Sequence, residues 1–353
     1  MVLFSIGTTI LITPAGLASL IKQDAWIAPL ISLGPGLLLV LLYTLLNRLA
    51  PEKNYVELSR LALGKVLGTI ASLLFILFSF LASSMVLYDV GKFMTSIIMP
   101  ETPILFVNAL FILLSVFAIR NGLDSLAMMV ELLFPIFSFL FVLMIAFTSP
   151  QMNFHNVLPF MEADAPLVLK AVAHVSTIAF MPLVTFLMIH PSVSNYRPSA
   201  LVKSVITGGL LSFIIVAATI LVLGYSVTAL QEYPVYHLAQ KISIGRFLER
   251  IEVMVASMWL ITTFVKMTIY FYSAVSGLSA LTKLSNEKAI LLPLGFLMLI
   301  ISVDVYPNAA FEEKFDTTAW VAFVFLVGVL MPFIFYLSLL FRNKWLKAPK
   351  NKG

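Results

Sequence analysis

The amino-acid sequence is too apolar for a water-soluble domain: 61% of its 353 residues are hydrophobic, only 11% are charged, and the mean hydropathy is +1.03. Soluble domains carry roughly 25% charged residues, so this composition predicts an integral membrane protein built from helices. The chain has no Cys and only four scattered His, which excludes disulfides and thiol catalysis and argues against a His-based metal site.

Runs of about 20 apolar residues predict ten membrane spans in an all-α fold. They lie at 2–21, 27–47, 67–98, 103–119, 125–147, 168–189, 203–225, 249–282, 288–303 and 319–341. The single membrane domain, 1–353, is predicted to consist of a first inverted repeat with helices 1–5 at 1–147, a second with helices 6–10 at 168–341, and a basic tail at 342–353. Lys and Arg concentrate in the tail and in alternate loops, which predicts that both termini are cytoplasmic. Short interfacial helices are predicted at 51–63 and 231–242.

The first span is interrupted by SIGTTILITPAG, at Ser5–Gly16, and the sixth span, five spans later, around Ala179–Pro182. A broken helix in a membrane leaves backbone amides and carbonyls unpaired, and these persist where they face a cavity or a ligand. Paired interruptions at corresponding positions are typical of inverted-repeat transporter folds and mark their binding sites. Gly7, Thr8, Thr9, Ala179 and Phe180 are therefore predicted ligand-binding residues. A simple Gly/Pro kink without a ligand is the alternative.

Lys266 lies near the middle of the eighth span, where an ionised Lys costs about 2.5–3.5 kcal/mol on insertion scales. Thr262 and Thr263 lie one turn before it and are predicted to face the same interior site. We interpret Lys266 as a fixed cation beside the broken first helix, taking the place of a bound ion. The alternative is a Lys that snorkels or pairs with a carboxylate for structural reasons.

Other polar residues within the spans have weaker functional interpretations. In the third span, Ser84 and Tyr88 are candidates for lining the ligand pathway, but Asp89 and Lys92 lie three residues apart and are expected to neutralise each other. Glu131 in the fifth span is a candidate proton-linked residue.

A half-helix that begins near Thr9 directs its N-terminal amides at the gap, which favours an anionic group such as a carboxylate. With a cation at Lys266 and apolar walls, the predicted pocket suits a small zwitterion, and an amino acid is the leading candidate. The sequence has no ATP-binding loop and no catalytic constellation, so neither a primary pump nor an enzyme is expected. No cofactor is expected either.

Four stretches of the sequence are distinctive in combination: GTTILITPAG, QDAWIAPLI at Gln23–Ile31, GRFLERIE at Gly245–Glu252, and Trp259 with Phe264-Val265-Lys266. By these stretches the sequence resembles the B subunits of nutrient germinant receptors of spore-forming bacteria, permease-like members of the amino acid–polyamine–organocation superfamily. The resemblance implies a five-plus-five inverted repeat like that of sodium-coupled amino acid transporters. It also implies that the chain senses a germinant at the inner spore membrane together with A and C subunits.

Three functions are consistent with the sequence. A receptor subunit would bind a nutrient and pass its occupancy to partner subunits, with little net flux. A transporter would move amino acids with protons, using Lys266 or Glu131. A scaffold would hold its partners in the membrane and keep only a vestigial pocket.

Overall fold

The computed structural model describes residues 1–193, 198–241, 251–284 and 286–347, and every regular element in these ranges is helical. The first half contains α1 (Val2–Ile6), α2 (Thr9–Ile21), α3 (Ile27–Leu49), α4 (Tyr55–Phe93), α5 (Ile104–Arg120) and α6 (Leu123–Thr148). The second half contains α7 (Ala165–Ala179), α8 (Phe186–Ile189), α9 (Pro198–Leu223), α10 (Tyr225–Leu230), α11 (Pro234–Gln240), α12 (Glu252–Thr282), α13 (Leu291–Asp304), α14 (Ala309–Thr317), α15 (Ala319–Phe325) and α16 (Met331–Lys347).

Seven helical stretches of the described chain are long and apolar enough to cross a membrane, and this makes the protein a multi-pass membrane protein. They are Val2–Leu49, Tyr55–Ile98, Leu123–Gln151, Ala165–Ser192, Ser199–Leu223, Glu252–Thr282 and Ala309–Arg342. The first of these combines the first two predicted spans, and the shorter apolar helix Ile104–Arg120 corresponds to the fourth. The all-α membrane class is confirmed, whereas the count of ten spans and the repeat boundaries stay predictions.

The centre of the molecule is formed by α4 and α12, which pack against each other along much of their lengths. The short helix α1 packs against α9 and α12, and α2 packs against α7 and α10. The first span therefore lies inside the bundle, and residues Leu3 to Ile6 are buried. A broken helix is tolerated at this position because protein, not lipid, surrounds its freed backbone groups.

The two segments predicted as short helices outside the spans are helical, the first as the beginning of α4 and the second as α11, and both have recognisable start signals. Asn54 caps α4 by accepting a hydrogen bond from the Glu57 amide at 3.0 Å, and Gly64 with φ of 81° separates a first helical segment from the long span. Pro234 occupies the first turn of α11, where a missing N–H costs no helical hydrogen bond.

The Gln23-Asp24 pair fixes the connection between α2 and α3 to the segment before α7. Asp24 is fully buried, and its two carboxylate oxygens accept from the Met161 amide at 2.8 Å and the Ala163 amide at 2.9 Å. Gln23 donates to the Pro159 carbonyl at 3.1 Å. Charge-assisted hydrogen bonds of this kind are stronger than neutral ones, so the QDAW motif holds the C-terminal end of the first span next to the N-terminal end of the sixth.

Candidate functional site

The first span is broken at Gly7-Thr8, between the end of α1 and the start of α2. Gly7 has φ of 22° and ψ of −115°, a conformation that L side chains rarely adopt. Its carbonyl leaves the helical pattern and accepts a hydrogen bond from Thr262 Oγ1 on α12 at 3.0 Å. The break is thus tied to the eighth predicted span by one of the threonines that the sequence assigned to the site.

The sixth span is broken next to Pro182, which has no N–H to donate. In a continuous helix the amide of residue 182 would donate to the carbonyl of Ile178, four residues earlier. Here α7 ends at Ala179, and a 3₁₀ turn occupies Met181–Thr185 before α8. The Ile178 carbonyl is left available for another donor, and no glycine is present at this break.

Lys266 joins the two breaks. Its Nζ donates to the freed Ile178 carbonyl at 2.8 Å and to Thr8 Oγ1 at 3.4 Å, and it lies 5.8 Å from the ring centroid of Phe4. The side chain is 2% exposed. Since Gly7 has no Cβ, the aliphatic part of Lys266 passes directly over it, and an added Cβ would overlap Lys266 Cδ. The Lys266 amino group therefore lies between two interrupted helices, in contact with both.

A cavity of about 150 Å³ extends from these breaks between α2, α4, α7, α12 and the α14–α15 segment. Its polar lining consists of Thr8, Thr13, Asp89, His174, Thr177, Lys266, Tyr270, Tyr306, Glu312 and Asp316. Its apolar lining consists of Ile12, Ala82, Met85, Val86, Ile178, Pro182, Trp320 and Val321. Cavities that bind drug-sized ligands are typically about 300–1,000 Å³, so this one suits a smaller molecule.

The structure brings some of the predicted site residues to the cavity and leaves others in helix packing. Thr8 and Lys266 line it, and Thr262 contacts the Gly7 carbonyl behind it. The hydroxyls of Thr9, Ser84 and Thr263 bond instead to carbonyls of their own helices or, for Thr9, across the break to Ser5. Ala179 and Phe180 are buried beside the second break but do not line the cavity. Glu131 is exposed on α6 and lies apart from the cavity lining.

The expected pairing of Asp89 with Lys92 is wrong. Lys92 Nζ binds Glu232 at 2.8 Å and Glu312 at 2.9 Å, and Tyr88 also donates to Glu312 at 3.3 Å. These partners come from the segment before α11 and from α14, and they reach Lys92 more directly than its own helical neighbour does. Asp89 instead faces the cavity. Tyr88, predicted to bind ligand, supports this outer ion cluster.

Several cavity residues were not assigned by sequence reasoning. Asp89 follows Ala82, Met85 and Val86 on one face of α4, a spacing that places it on the same stripe of the helix. His174 also lines the cavity and has its Nε2 next to Gly16. Glu312, Asp316 and Trp320 belong to the segment after α13, whose position over the cavity no local pattern encodes.

The sequence and the fold both have relatives among known proteins. A family model described as spore germination protein matches residues 1–310. Spore germination protein KB of Bacillus subtilis (strain 168) is 29% identical over 361 residues, which cover 100% of this chain and 95% of that protein. Spore germination protein YndE of the same organism is 24% identical, with 81% of this chain and 79% of that protein covered.

Among solved structures, that of MhsT in complex with L-phenylalanine superposes with a TM-score of 0.65. The two sequences are 14% identical, and the match covers 97% of this chain and 94% of MhsT. At this identity the likeness concerns the fold alone, and it confirms the transporter-like helical architecture with interrupted first and sixth helices. Because the family model covers most of its length, the chain belongs to the spore germination protein family, in its permease-like branch of membrane subunits.

Proposed function

We propose that the protein is the germinant-sensing membrane subunit of a nutrient receptor at the inner spore membrane, with both termini cytoplasmic. It binds a small nutrient, an amino acid, in the cavity between the broken helices, and it triggers germination through A and C partner subunits. The family membership supports the role in germination. The bound L-phenylalanine in the MhsT structure supports an amino acid as the ligand for this fold.

The observation that carries the proposal is the position of Lys266. Its ammonium group contacts Thr8 at the first break and Ile178 at the second, and the same three residues line the cavity. A ligand in the cavity therefore contacts the elements whose relative position the lysine sets. Occupancy shifts the conformational equilibrium by no more than the ligand's difference in affinity between the two states. The shift then reaches partner subunits through the helices that these elements belong to.

A proton-coupled amino acid transporter is the second candidate, favoured by the fold shared with MhsT and by a cavity located between interrupted helices. For this function Lys266 has the suitable location. Glu131 does not, since its side chain is exposed on α6 and away from the cavity lining. A scaffold with a vestigial pocket is the third candidate, and it predicts no saturable binding.

The test is binding of labelled L-amino acids, sugars and nucleosides to the purified full chain, followed by uptake of each bound compound into proteoliposomes. We expect saturable binding of an amino acid without net uptake. Uptake driven by a proton gradient would contradict the receptor function and support the transporter function. If no compound shows saturable binding, the receptor and the transporter are both contradicted and the scaffold function is supported.

The link to germination is tested separately in spores. We expect deletion of the gene for this chain to abolish germination in response to the compound that binds the purified protein. Germination of the deletion strain at the normal rate with that compound would contradict the proposed receptor role.

A further inference from the structure

The two ends of the cavity carry opposite charge. Lys266 lies at the inner end, against the broken helices, and Asp89, Glu312 and Asp316 lie toward the α14 side. Two of these carboxylates have partners: Glu312 is bound by Lys92 at 2.9 Å, and Asp316 accepts from the Tyr306 hydroxyl at 2.7 Å. Within the described part of the chain, Asp89 makes neither a hydrogen bond nor an ion pair.

Lys266 forms no close ion pair with Asp89 among the described residues, although both line the same cavity. Its ammonium group is held at the breaks by the Ile178 carbonyl at 2.8 Å and by Thr8 at 3.4 Å. Moving it toward Asp89 would leave the Ile178 carbonyl buried without a donor, which costs about 1–3 kcal/mol. The Asp89 carboxyl group thus faces space that a ligand can fill, and three carboxyl groups at one side of the cavity favour a positively charged group between them.

Two further observations point to a ligand in this space. Thr13 is fully buried and lines the cavity, yet its hydroxyl has no hydrogen-bond partner among the described residues, although a helical threonine commonly bonds the carbonyl four residues back. Aromatic side chains, Tyr270, Tyr306 and Trp320, form part of the wall. Ring faces of Tyr and Trp attract cations, so the wall beside Asp89 also favours a positively charged group.

We propose that Asp89 binds the protonated amino group of the germinant and that the cavity thereby selects amine-bearing nutrients over neutral sugars and nucleosides. This inference rests on the proposed function, because it takes the cavity as the germinant site. In an amino acid, the carboxylate would then lie toward the opposite end of the cavity, where Lys266 and the first turn of α2 provide positive charge. Asp89 is a specificity residue in this assignment, and Lys266 positions the helices.

The experiment compares matched ligands and matched variants by calorimetry on the purified full chain. The probes are the twenty L-amino acids, D-glucose and inosine, and for each bound amino acid the 2-hydroxy acid that replaces its amino group by a hydroxyl. We expect only amino acids to bind, and the 2-hydroxy acid to bind at least ten-fold more weakly. Asp89→Asn should cause a similar loss for the amino acid and no further loss for the hydroxy acid, because both changes remove the same interaction. Glu313→Gln removes an exposed carboxylate of α14 and should leave affinity unchanged.

Three results would overturn the inference. The first is D-glucose or inosine binding equally to the natural protein and to Asp89→Asn, which leaves the receptor function standing. The second is no binding of any amine, and if the neutral compounds also fail to bind, the proposed function falls with it. The third is an equal loss in Asp89→Asn and in the charge-preserving Asp89→Glu while thermal unfolding of both is unchanged, since that would assign Asp89 a role in shape and none in charge.

Discussion

The two ends of the cavity differ in the contacts that stabilise them. The inner end is the one at the broken helices, and the outer end is the one on the α14 side. At the inner end, hydrogen bonds are made by backbone groups of two broken helices, and their donors, Lys266 and Thr262, both come from α12. At the outer end, the contacts are ion pairs among side chains of three separate segments, with Lys92 between Glu232 and Glu312. The inner end is buried, whereas Lys92 and Glu232 have 28% and 55% of their side chains exposed.

This difference indicates that the inner end should be rigid and the outer end more adaptable. Buried hydrogen bonds to charged groups contribute about 1.5–3 kcal/mol, whereas exposed ion pairs contribute about 0–1 kcal/mol and weaken with salt. We therefore expect the inner end to be the more rigid, and a rearrangement of the outer end to cost less free energy. Mutations at the two ends should differ accordingly, in size and in the kinetic step that they affect.

The largest effect is expected for Lys266→Met. The substitution keeps the length of the side chain but removes the donor to Ile178 and the charge between the breaks. We expect ligand affinity and germination response to fall about 10- to 100-fold, since a buried carbonyl loses a charged partner. The measurement is a dose-response curve for germination together with protein level in the membrane. Lys170→Met, at an exposed position on α7, is the control and should behave normally. A normal response of Lys266→Met would remove this residue from the mechanism.

Gly7→Ala should have the next largest effect. A Cβ at this position would overlap Lys266 Cδ, and φ of 22° is unfavourable for any L side chain. Backbone strain of this kind costs about 1–3 kcal/mol, so we expect a roughly ten-fold or larger loss of affinity in binding measurements on the purified chain. Gly34→Ala is the matched control, because a Cβ at Gly34 in α3 has no neighbour within 4 Å. Equal behaviour of the two variants would contradict the close packing of Lys266 over Gly7.

Lys92→Gln tests the outer end. It leaves Glu232 and Glu312 without their shared cation, so the α14 side should open more readily. We expect the ligand to dissociate roughly three- to ten-fold faster with little change in association rate, because partly exposed ion pairs contribute about 1 kcal/mol. Stopped-flow binding at low and high salt measures this, and high salt should reduce the difference between variant and parent. Lys314→Gln on the exposed face of α14 is the control. A salt-independent change would contradict an electrostatic origin.

The smallest effects distinguish two adjacent threonines at the first break. Thr8 lines the cavity and bonds Lys266 at 3.4 Å, whereas Thr9 bonds only the Ser5 carbonyl at 3.4 Å. We expect Thr8→Val to lower affinity about two- to five-fold, in line with a modest neutral hydrogen bond, and Thr9→Val to stay within about two-fold. Calorimetry measures the ligand affinity of each variant and so determines which threonine matters more. The reverse order would place the ligand on the other side of the break.

The broken helices could be predicted because their causes are local. Gly7 and Pro182 are local signals that favour an interruption of a helix, and a lysine in the middle of a span needs an interior partner wherever the chain folds. The composition likewise determines the membrane class. These features need no knowledge of tertiary contacts, and the structure has them where the sequence predicts them.

The outer ion cluster could not be predicted because its partners are far apart in sequence. Asp89 and Lys92 are helical neighbours, so local rules favour their pairing, but Glu232 and Glu312 lie about 140 and 220 residues further along the chain. Glu232 and Glu312 reach Lys92 only because α14 and the segment before α11 pack over α4. The role of Asp89 follows only from that packing, because it becomes available to the cavity once Lys92 is bound elsewhere.

The amino group at the two helix breaks belongs to a lysine of the chain itself, and this covalent attachment has a thermodynamic consequence. A sodium ion at such a position dissociates, so its occupancy follows the salt concentration on each side of the membrane and gives a transporter access to the free energy of the gradient. The ammonium group of Lys266 is covalently retained next to Thr8 and Ile178, and its presence does not depend on external salt. Its contribution is the same in a sodium-rich and in a sodium-poor medium. If the protein is the receptor proposed above, it would report the concentration of its ligand without a correction for the sodium content of the surroundings.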